Sequence, residues 1–329
     1  MRKKLLSAAV AAVMTLSLAA CGTATPTETD DASAENPDGY IVGICEQMEH
    51  VSLSEATRGF KDALTELLGE ENVVFREQNA NGEQNACGTI IDGFVSDGVD
   101  LILANATWPL QAAASATADI PVLGTSITDY GTALGIEDFS GTVGNNISGT
   151  SDLVDLEGQA GVLQELFPDA ENVGLLYCSG EPNSVYQIET VRGYLEDMGY
   201  TCEVYAFTDV NDLASVTQAA CDSSDVIYIP TDNTVAANTE SVANVVLAAG
   251  VPVVGGDPGI CSGCGVATIA TDYYELGKLT ARMAAEILTG EADISTMAVQ
   301  YGPMQKIYNA ANCDTLNITV PEDYTPVEQ

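Results

Sequence analysis

The sequence predicts an α/β protein in which two parallel sheets follow one another along the chain. Three observations lead to this prediction. Short apolar runs alternate with longer amphipathic runs from Tyr40 onward, the alternation pauses over a polar stretch at 131–151, and it then resumes. Continuous apolar strands joined by helices are typical of parallel sheets that are covered on both faces. The pause therefore divides the chain into two βα units, with a hinge-like segment near 141–151 between them.

The first unit begins with the strand YIVGIC at 40–45. A helix follows at 53–69, because apolar residues recur there at helical spacing and Gly69 ends the pattern. Ser52 and Glu55 have the spacing of a capping box at its start. The same criteria predict the other elements of this unit: strands at 72–78, 100–106 and 120–127, and helices at 85–98 and 109–118.

The second unit repeats the alternation, and a shorter third segment follows it. The predicted elements of the second unit are helices at 155–168, 184–199, 210–221 and 233–250, and strands at 172–178, 201–207, 225–230 and 251–257. A strand and a long helix remain at 266–290, and we expect both to return to the first unit. This expectation gives lobe 1 as 40–148 and 266–300, and lobe 2 as 149–265 and 301–329. A two-domain chain without a return is the alternative.

The first 39 residues have the pattern of an exported lipoprotein. MRKK supplies positive charge, a short apolar stretch follows, and LAAC at 18–21 resembles a bacterial lipobox. Residues 1–21 are therefore predicted to be a signal peptide that ends at a lipidated Cys21, with an ordinary secretory signal as the alternative. Residues 22–39 contain no basic and no bulky apolar residue, which predicts a disordered tether. The folded part would then lie outside the cell membrane, anchored by lipid.

The charge and the cysteines narrow the range of partners. The chain has 48 acidic and ten basic residues and a net charge of −38, so nucleic acid and anionic lipid surfaces are not expected partners. Cys261 and Cys264 are the best candidates for a disulfide in an exported protein. We expect no metal site and no cofactor, since His50 is the only histidine and CSGC lacks further ligands nearby.

The loops that follow the predicted strands are polar in both units. In an open parallel sheet, ligands bind beyond the carboxyl ends of the strands. These loops are rich in hydroxyls, amides and acids, and they contain no lysine or arginine. We predict that the two loop-bearing edges face each other and enclose a ligand in a cleft between lobes. The alternative is that these residues act only as turn and cap residues.

The chemistry of these loops fits a zwitterionic amino acid. Without basic residues, a carboxylate must be held by hydroxyls and free backbone amides, as at Asn183 and Ser184, which we predict to cap a helix. An ammonium group needs a carboxylate, which Asp232 or Glu49 could supply.

Two aromatic residues could form the wall against which the ligand's side chain packs. Trp108 and Tyr130 follow two strands of the first unit and offer stacking faces. An enzyme, such as a hydrolase that uses His50 with Glu49, is a further alternative. No nucleophile, metal cluster or phosphate loop accompanies that pair in the sequence, so we assign no catalytic residues.

Several of these motifs resemble one known family in their order and spacing. EHVSLSEATRGFKDAL, QNANGEQNACGTII, ATWPLQAAASATADIPV, EPNSV and PTDNTV resemble motifs of the lipoprotein substrate-binding components of ABC importers for tryptophan and tyrosine. The likeness covers about residues 40–325. It implies the type I periplasmic-binding-protein architecture: two Rossmann-like lobes, three crossovers, and a ligand clamped in the hinge cleft.

The resemblance also implies a function and a set of site residues. A member of this family captures an aromatic amino acid (Trp, Tyr or Phe) by lobe closure and delivers it to an ABC permease, without catalysis and as a monomer. The alternatives are a lipoprotein of the same fold for another small polar solute, or a sensor or adhesin. Carried onto this sequence, the ligand-binding residues are Glu49, Asn79, Thr107, Gln111, Thr128, Asp129, Asn183, Ser184, Thr231, Asp232, Asn233 and Asp257. Trp108 stands where the family usually has proline, and it joins the predicted set because of its stacking face alone.

Overall fold

The computed structural model describes residues 39–327, which lie in one compact unit. The predicted signal peptide with Cys21, and the predicted tether as far as residue 38, lie outside the described residues. Within 39–327 the chain is an α/β protein with two sheets, as the sequence predicts.

Thirteen strands form the two sheets. Along the chain they are β1 (Tyr40–Glu46), β2 (Val73–Asn79), β3 (Leu101–Asn105), β4 (Val122–Ile127), β5 (Ile147–Ser151), β6 (Asn172–Cys178), β7 (Thr201–Phe207), β8 (Val226–Ile229), β9 (Val253–Gly255), β10 (Ala267–Thr271), β11 (Gln300–Tyr301), β12 (Met304–Tyr308) and β13 (Thr325–Pro326). The first sheet has the order β11-β5-β4-β3-β1-β2, and all its strands are parallel. The second has the order β13-β12-β10-β9-β8-β6-β7, in which only the pairing of β10 with β12 is antiparallel.

Helices cover both faces of each sheet. They are α1 (Val51–Leu68), α2 (Gln84–Asp97), α3 (Thr107–Ala116), α4 (Tyr130–Leu134), α5 (Leu156–Leu166), α6 (Pro182–Asp197), α7 (Leu213–Ser223), α8 (Asn233–Ala236), α9 (Thr239–Ala249), α10 (Pro258–Gly263), α11 (Tyr273–Leu288) and α12 (Ala310–Leu316). Helices α1 and α11 pack on one face of the first sheet and α2 and α3 on the other. Helices α5 and α6 cover one face of the second sheet, and α7 and α9 the other.

Two glycines allow α1 and α11 to approach each other closely. A Cβ atom on Gly59 would lie 2.1 Å from the carbonyl oxygen of Tyr274. A Cβ atom on Gly277 would lie 2.0 Å from the carbonyl oxygen of Ala56. Because these contacts are to backbone, which cannot move aside as a side chain can, any larger residue would force the helices apart. These close contacts hold α11 against α1 and the first sheet, although β10, the strand before α11, belongs to the second sheet.

The polar stretch at 131–151 contains a strand that the sequence analysis missed. Strand β5 lies between β4 and β11, and all five of its residues are buried. Its sequence, ISGTS, lacks the apolar run that predicts a strand, and its central residue must be glycine because a Cβ on Gly149 would lie 2.0 Å from the carbonyl oxygen of Gly124. The expected hinge at 141–151 is therefore wrong, since the chain leaves the first sheet only after Ser151.

The expected return of 266–300 to lobe 1 is wrong for the strand, whereas the helix that follows it packs on the first sheet. Strand β10 pairs with β9 and β12 in the second sheet, whereas α11 packs against α1, β4 and β5. The edge of the first sheet beyond β5 is taken by β11, so the strand at 267–271 has no place there. The chain crosses between the lobes at Asp272, so lobe 1 consists of residues 40–151 and 273–301, and lobe 2 of residues 153–271 and 304–327.

Three crossovers lie side by side and form the hinge. They follow β5, β10 and β11, and hydrogen bonds join them. The hydroxyl of Thr271 donates to the carbonyl oxygen of Asp152 at 3.2 Å, and the backbone N–H of Asp272 donates to the carbonyl oxygen of Pro303 at 3.1 Å. The hydroxyl of Tyr273 donates to the Asp152 carboxylate at 2.6 Å. Asp152 is thus held by the hinge itself.

The eight cysteines within residues 39–327 are free thiols. Cys261 and Cys264, which we expected to be the best disulfide candidates, are both buried, and no bond joins them. Cys261 is near the end of the short helix α10 and its thiol faces the carbonyl oxygen of Ile307. These cysteines fill the core as small apolar residues do.

Candidate ligand-binding site

Unpartnered polar atoms mark one edge of each sheet. Within the described part of the chain, eight buried polar side-chain atoms have no hydrogen-bond partner. Every one belongs to a residue at the carboxyl end of a strand, in the loop after it, or in the first turn of the next helix. Such a group costs about 1–3 kcal/mol when it is buried without a partner, so their concentration calls for an explanation. The atoms are Gln47 Nε2, His50 Nδ1, Asn105 Oδ1, Trp108 Nε1, Ser126 Oγ, Asp152 Oδ1, Asn183 Oδ1 and Asp257 Oδ2.

The two edges meet in a closed cleft. Ser52 on α1 of lobe 1 donates to Asp257 Oδ1 of lobe 2 at 3.2 Å. The ring of His50 lies 3.1 Å from Asn233 Oδ1, again across the lobes. Ser52 therefore does not form the predicted capping box: the N-cap of α1 is His50, and no side chain caps this end. Its hydroxyl joins the lobes instead.

Two buried carboxylates each keep one oxygen free. Asp152 Oδ2 accepts from Tyr273, and Asp257 Oδ1 accepts from the backbone N–H of Ile260 at 2.8 Å and from Ser52. Burial raises the pKa of each carboxyl to about 6. The negative charge of Asp257 adds to the rise in the pKa of Asp152 that burial causes. A cationic ligand between them would supply both missing donors and the missing positive charge.

Lobe 1 instead presents unpartnered N–H donors. The Oε1 atom of Gln47 accepts from the backbone N–H of Trp108 at 3.1 Å, which fixes the amide so that its Nε2 has no partner. The indole Nε1 of Trp108 has none either, although the ring is half-buried. The N-terminus of α3 has no side-chain cap. Two N–H donors beside a helix N-terminus are suited to a carboxylate.

The backbone beside these donors is strained. Ala106, the N-cap of α3, has φ +90° and ψ 173°, a region that only glycine adopts readily. Ser126 has φ +57° at the irregularity in the pairing of β4 with β5. Non-glycine residues in such conformations cost about 1–3 kcal/mol and cluster at functional sites. Both lie at the same sheet edge as the unpartnered atoms.

The structure uses Asp232 differently from the sequence prediction. Its Oδ1 accepts from the N–H of Val235 at 2.9 Å, and its Oδ2 accepts from the N–H of Cys178 at 2.7 Å and the hydroxyl of Ser184 at 2.8 Å. Both oxygens are therefore engaged inside lobe 2. Asp232 ties strand β6 to helices α6 and α8, and the free carboxylate oxygens belong to Asp152 and Asp257.

Glu181 organises the rest of the lobe 2 edge. This fully buried carboxylate accepts five hydrogen bonds from Asn183 Nδ2, from both nitrogens of Asn233, and from the N–H and hydroxyl of Thr234. Asn183 Nδ2 also donates to the carbonyl oxygen of Thr231 at 2.9 Å, which leaves Oδ1 as a free acceptor. The N-cap of α6 is Glu181, so the predicted capping by Asn183 and Ser184 is wrong.

Glu49 and Asn79 line a separate cavity. A polar cavity of about 460 Å³ lies between α1 and β2, and both residues contribute to its wall. Glu49 is exposed. Asn79 donates to Glu46 at 3.1 Å and accepts from the N–H of Asn81 at 2.7 Å, so both ends of its amide are engaged. The amide-rich loop at 78–84 thus has a local structural role around Glu46.

Several other predicted residues hold the lobe edges in shape. Gln111 donates to the carbonyl oxygen of Ala133, and Asp129 caps α4 through Thr132. Tyr130 is fully buried, stacks on Phe139 and donates to the carbonyl oxygen of Thr150, so it cannot form a wall of the site. The remaining predicted residues, Thr107, Thr128 and Thr231, lie at the carboxyl edges, the first two buried and the last half-buried.

Sequence reasoning missed Gln47, Asn105, Ser126 and Asp152. Asp152 follows β5, a strand that has no apolar run to predict it. Gln47 lies in the same loop as the charged Glu49, and the loop's composition does not show which of the two side chains is buried. Asn105 and Ser126 lie within strands, and no pattern in the sequence shows that their side chains face a cleft. The polar composition of the loops indicated the carboxyl edge of each sheet, but it could not show which polar atoms there would lack a hydrogen-bond partner.

A two-lobed binding protein with a hinged cleft is the class that this fold and site define. The chain belongs to the ABC transporter substrate-binding protein family, whose model matches residues 41–326. It is 30% identical over 300 residues to the "Tyrosine-binding protein" of Clostridioides difficile (strain R20291), covering 88% of this chain and 85% of that protein. Substrate-binding proteins of ABC importers work outside the cytoplasm. Between residues 39 and 327, no helix is both long and apolar enough to cross a membrane.

Two solved structures of similar sequence identity report on the lobe arrangement. The ABC domain in complex with L-Trp from Streptococcus pneumoniae is 29% identical and has a TM-score of 0.82, covering 86% of this chain and 96% of that one. A ligand-free, open substrate-binding protein with adhesive properties from Clostridium difficile is 30% identical and has a TM-score of 0.67, covering 88% and 99%. The greater likeness to the L-Trp complex agrees with the hydrogen bonds that join the lobes. The type I periplasmic-binding-protein fold is thus confirmed, and in this structure hydrogen bonds from His50 and Ser52 join the two lobes.

Proposed function

We propose that this protein captures an aromatic amino acid in the cleft, closes over it, and delivers it to an ABC permease without catalysing a reaction. The observation that carries the proposal is the opposition of unpartnered groups across the cleft. Free carboxylate oxygens lie at the hinge and on lobe 2, and free N–H donors lie on lobe 1. An amino-acid zwitterion carries the complementary pair of charges.

The two ends of the zwitterion have defined partners in this proposal. Asp152 Oδ1 and Asp257 Oδ2 accept hydrogen bonds from the ammonium group, and the positive charge keeps both acids ionised. Gln47 Nε2 and Trp108 Nε1 donate to the carboxylate. Binding then satisfies groups that are costly to bury alone, which stabilises the closed form over the open form.

An aromatic side chain is supported by the relatives and by Trp108. One similar protein is named for tyrosine binding, and one similar structure holds L-Trp. Trp108 is half-buried and offers a ring face at the same edge. His50 pairs with Asn233 and Glu49 is exposed, so the pair considered for an enzyme is not assembled. We therefore propose a binding role only, for a monomer that meets its permease through the closed lobes.

Isothermal calorimetry of residues 22–329 with the twenty amino acids tests this function. We expect binding of tyrosine, tryptophan or phenylalanine, with no binding of acidic or basic amino acids. Binding only to a solute without an ammonium and a carboxylate group would contradict the proposal, because the two sets of free groups would then have no role.

A lipid anchor at Cys21 is part of the proposal and has its own test. Cells that express the full chain are fed an alkyne fatty acid, and the protein is examined for the label. We expect labelling of the native chain, and release of a Cys21→Ser variant into the medium. Labelling of both proteins to the same extent would show that lipid is attached at a residue other than Cys21. No labelling of the native chain would contradict the anchor.

A further inference from the structure

His50 is a buried histidine that connects the two lobes. It is the only histidine in the sequence, it precedes α1, and only 8% of its surface is exposed. One ring nitrogen, Nε2, lies 3.1 Å from Asn233 Oδ1 on lobe 2. The other, Nδ1, is buried and has no partner among the described residues. The chemical character of Nδ1 depends on which nitrogen carries the proton.

The hydrogen-bond network of lobe 2 decides this tautomer. Asn233 Nδ2 donates to Glu181 Oε2 at 2.7 Å, so the Asn233 amide cannot be turned round without placing its oxygen against a carboxylate. Asn233 Oδ1 therefore faces His50 as an acceptor, and His50 Nε2 must be the donor. Burial lowers the pKa of His50 to about 4, so the ring carries a single proton near neutral pH. Nδ1 is consequently a bare acceptor.

The cleft contains more free acceptors than an ammonium group can satisfy. Asn105 Nδ2 donates to the carbonyl oxygen of Leu53, and Asn183 Nδ2 donates to that of Thr231, so the oxygens of both amides are acceptors. With the two carboxylates and His50 Nδ1, five acceptor atoms are free. An ammonium group has three N–H bonds. Two of the five acceptors therefore remain after the ammonium group has donated its three N–H bonds, so a ligand that carries a further donor is favoured.

Building on the proposed function, we infer that His50 Nδ1 accepts a hydrogen bond from a donor on the ligand's aromatic ring, and that His50 thereby selects tyrosine or tryptophan over phenylalanine. A phenol hydroxyl or an indole N–H supplies such a donor, and a phenyl ring does not. A site built to bond a polar group on the ligand discriminates against the analogue that lacks it, since a buried acceptor then stays unpaired. Lobe 2 contributes because Asn233, which Glu181 holds in place, keeps the proton of His50 on Nε2.

Two substitutions separate the two ring nitrogens. In His50→Gln, the side-chain amide can reach the position of Nε2 and donate to Asn233, but no acceptor replaces Nδ1. In His50→Asn, the shorter side chain places an oxygen near the position of Nδ1 and loses the contact with Asn233. Affinities of the native protein and both variants for tyrosine, tryptophan and phenylalanine are measured by calorimetry, and melting temperatures are recorded alongside.

For the native protein we expect tyrosine or tryptophan to bind at least about tenfold more tightly than phenylalanine. His50→Gln should reduce this preference to about twofold while phenylalanine binds as before. His50→Asn should keep part of the preference, with weaker binding of all three ligands. Equal loss of affinity for the three ligands in His50→Gln would show a structural role and overturn the inference.

Other outcomes distinguish this inference from the proposed function. A native protein that binds phenylalanine as tightly as tyrosine and tryptophan overturns the role of His50 alone. A native protein that binds none of the three overturns the proposed function and the inference with it.

The single histidine also allows a direct observation. In ¹⁵N-labelled protein without a histidine tag, the two imidazole nitrogens give one pair of signals. We expect a protonated Nε2 and an unprotonated Nδ1, with the Nδ1 signal shifting when tyrosine or tryptophan binds and shifting less when phenylalanine binds. A proton on Nδ1 in the complex, or the same shift for all three ligands, would overturn the inference.

Discussion

The cleft edges of the two lobes are built from similar residues but differ in how many of their polar atoms are engaged. On lobe 2, Glu181 and Asp232 accept eight hydrogen bonds from nearby backbone and side-chain donors. Only two lobe 2 side chains, Asn183 and Asp257, keep an atom without a partner among the described residues. On lobe 1 five side chains do: Gln47, His50, Asn105, Trp108 and Ser126. Lobe 2 is therefore a pre-organised surface, and lobe 1 is a surface that a ligand completes.

The difference also places the free donors and the free carboxylate oxygens on different sides of the cleft. The free donors that the structure fixes, Gln47 Nε2 and Trp108 Nε1, are both on lobe 1, and the free carboxylate oxygens are at the hinge and on lobe 2. A zwitterion has one favourable orientation in such a cleft. Closure brings its two ends to opposite lobes, so binding energy is gained only when the lobes meet.

The largest effect is expected from removing a negative charge on lobe 2, which tests the proposed orientation of the zwitterion. Asp257→Asn keeps an oxygen that can cap α10 but removes the charge that the ammonium needs. We expect affinity for tyrosine or tryptophan to fall at least about 30-fold, or about 2–5 kcal/mol, in calorimetry. Asp152→Asn should have a similar effect.

Glu49→Gln is the matched control, because Glu49 is an exposed acid of the neighbouring cavity. Its affinity should stay within about twofold of native. Equal losses in Asp257→Asn and Glu49→Gln would mean that overall negative charge attracts the ligand and that the two free carboxylates are not specific partners.

A second test concerns the pre-organised edge. Glu181→Gln places an amide N–H₂ group among five donors, so the free energy of unfolding should fall by about 2–3 kcal/mol. Urea denaturation monitored by circular dichroism measures the change. Glu157→Gln, on the first turn of α5, provides a surface comparison. No loss of stability in Glu181→Gln would show that the network of lobe 2 is not what makes it rigid.

Trp108→Phe tests the N–H donors of lobe 1, and we expect it to lower affinity less than Asp257→Asn does. The variant keeps an aromatic ring and removes Nε1–H, so the ligand's carboxylate loses one hydrogen bond. We expect about tenfold weaker binding, or about 1–2 kcal/mol, with little change in melting temperature. Stronger binding by the variant would place the indole N–H outside the ligand's contacts.

The smallest expected effect is the pH dependence of binding. Asp152 and Asp257 have pKa values raised to about 6 in the closed protein, and an ammonium ligand binds their ionised forms. Below pH 6 both groups must lose protons on binding, so affinity should fall as the pH is lowered from 7 to 5. His50 acts in the same direction: closure lowers its pKa to about 4, so an open form protonated near pH 6 must release that proton.

Calorimetry at pH 7 and pH 5 should show a severalfold to about tenfold loss of affinity. The loss should be smaller in Asp152→Asn and in His50→Gln. Binding that strengthens toward pH 5 would contradict the assignment of the ammonium group to these acids.

The sequence by itself determined the βα alternation, the presence of two units, and the sheet edge that carries the unpartnered polar atoms, because apolar periodicity and polar loops are local properties of the chain. It did not determine which acids stay free. Asp232 and Asp257 each follow a buried strand and each cap a short helix, so they look alike in the sequence. Only the tertiary structure separates them: Cys178 and Ser184, far away in the chain, fill the remaining oxygen of Asp232, whereas Asp257 Oδ2 meets no donor. Hydrogen-bond saturation depends on neighbours brought together by folding, and that is why the free carboxylates, the Asp152 hinge position and the His50 tautomer were decided by the fold.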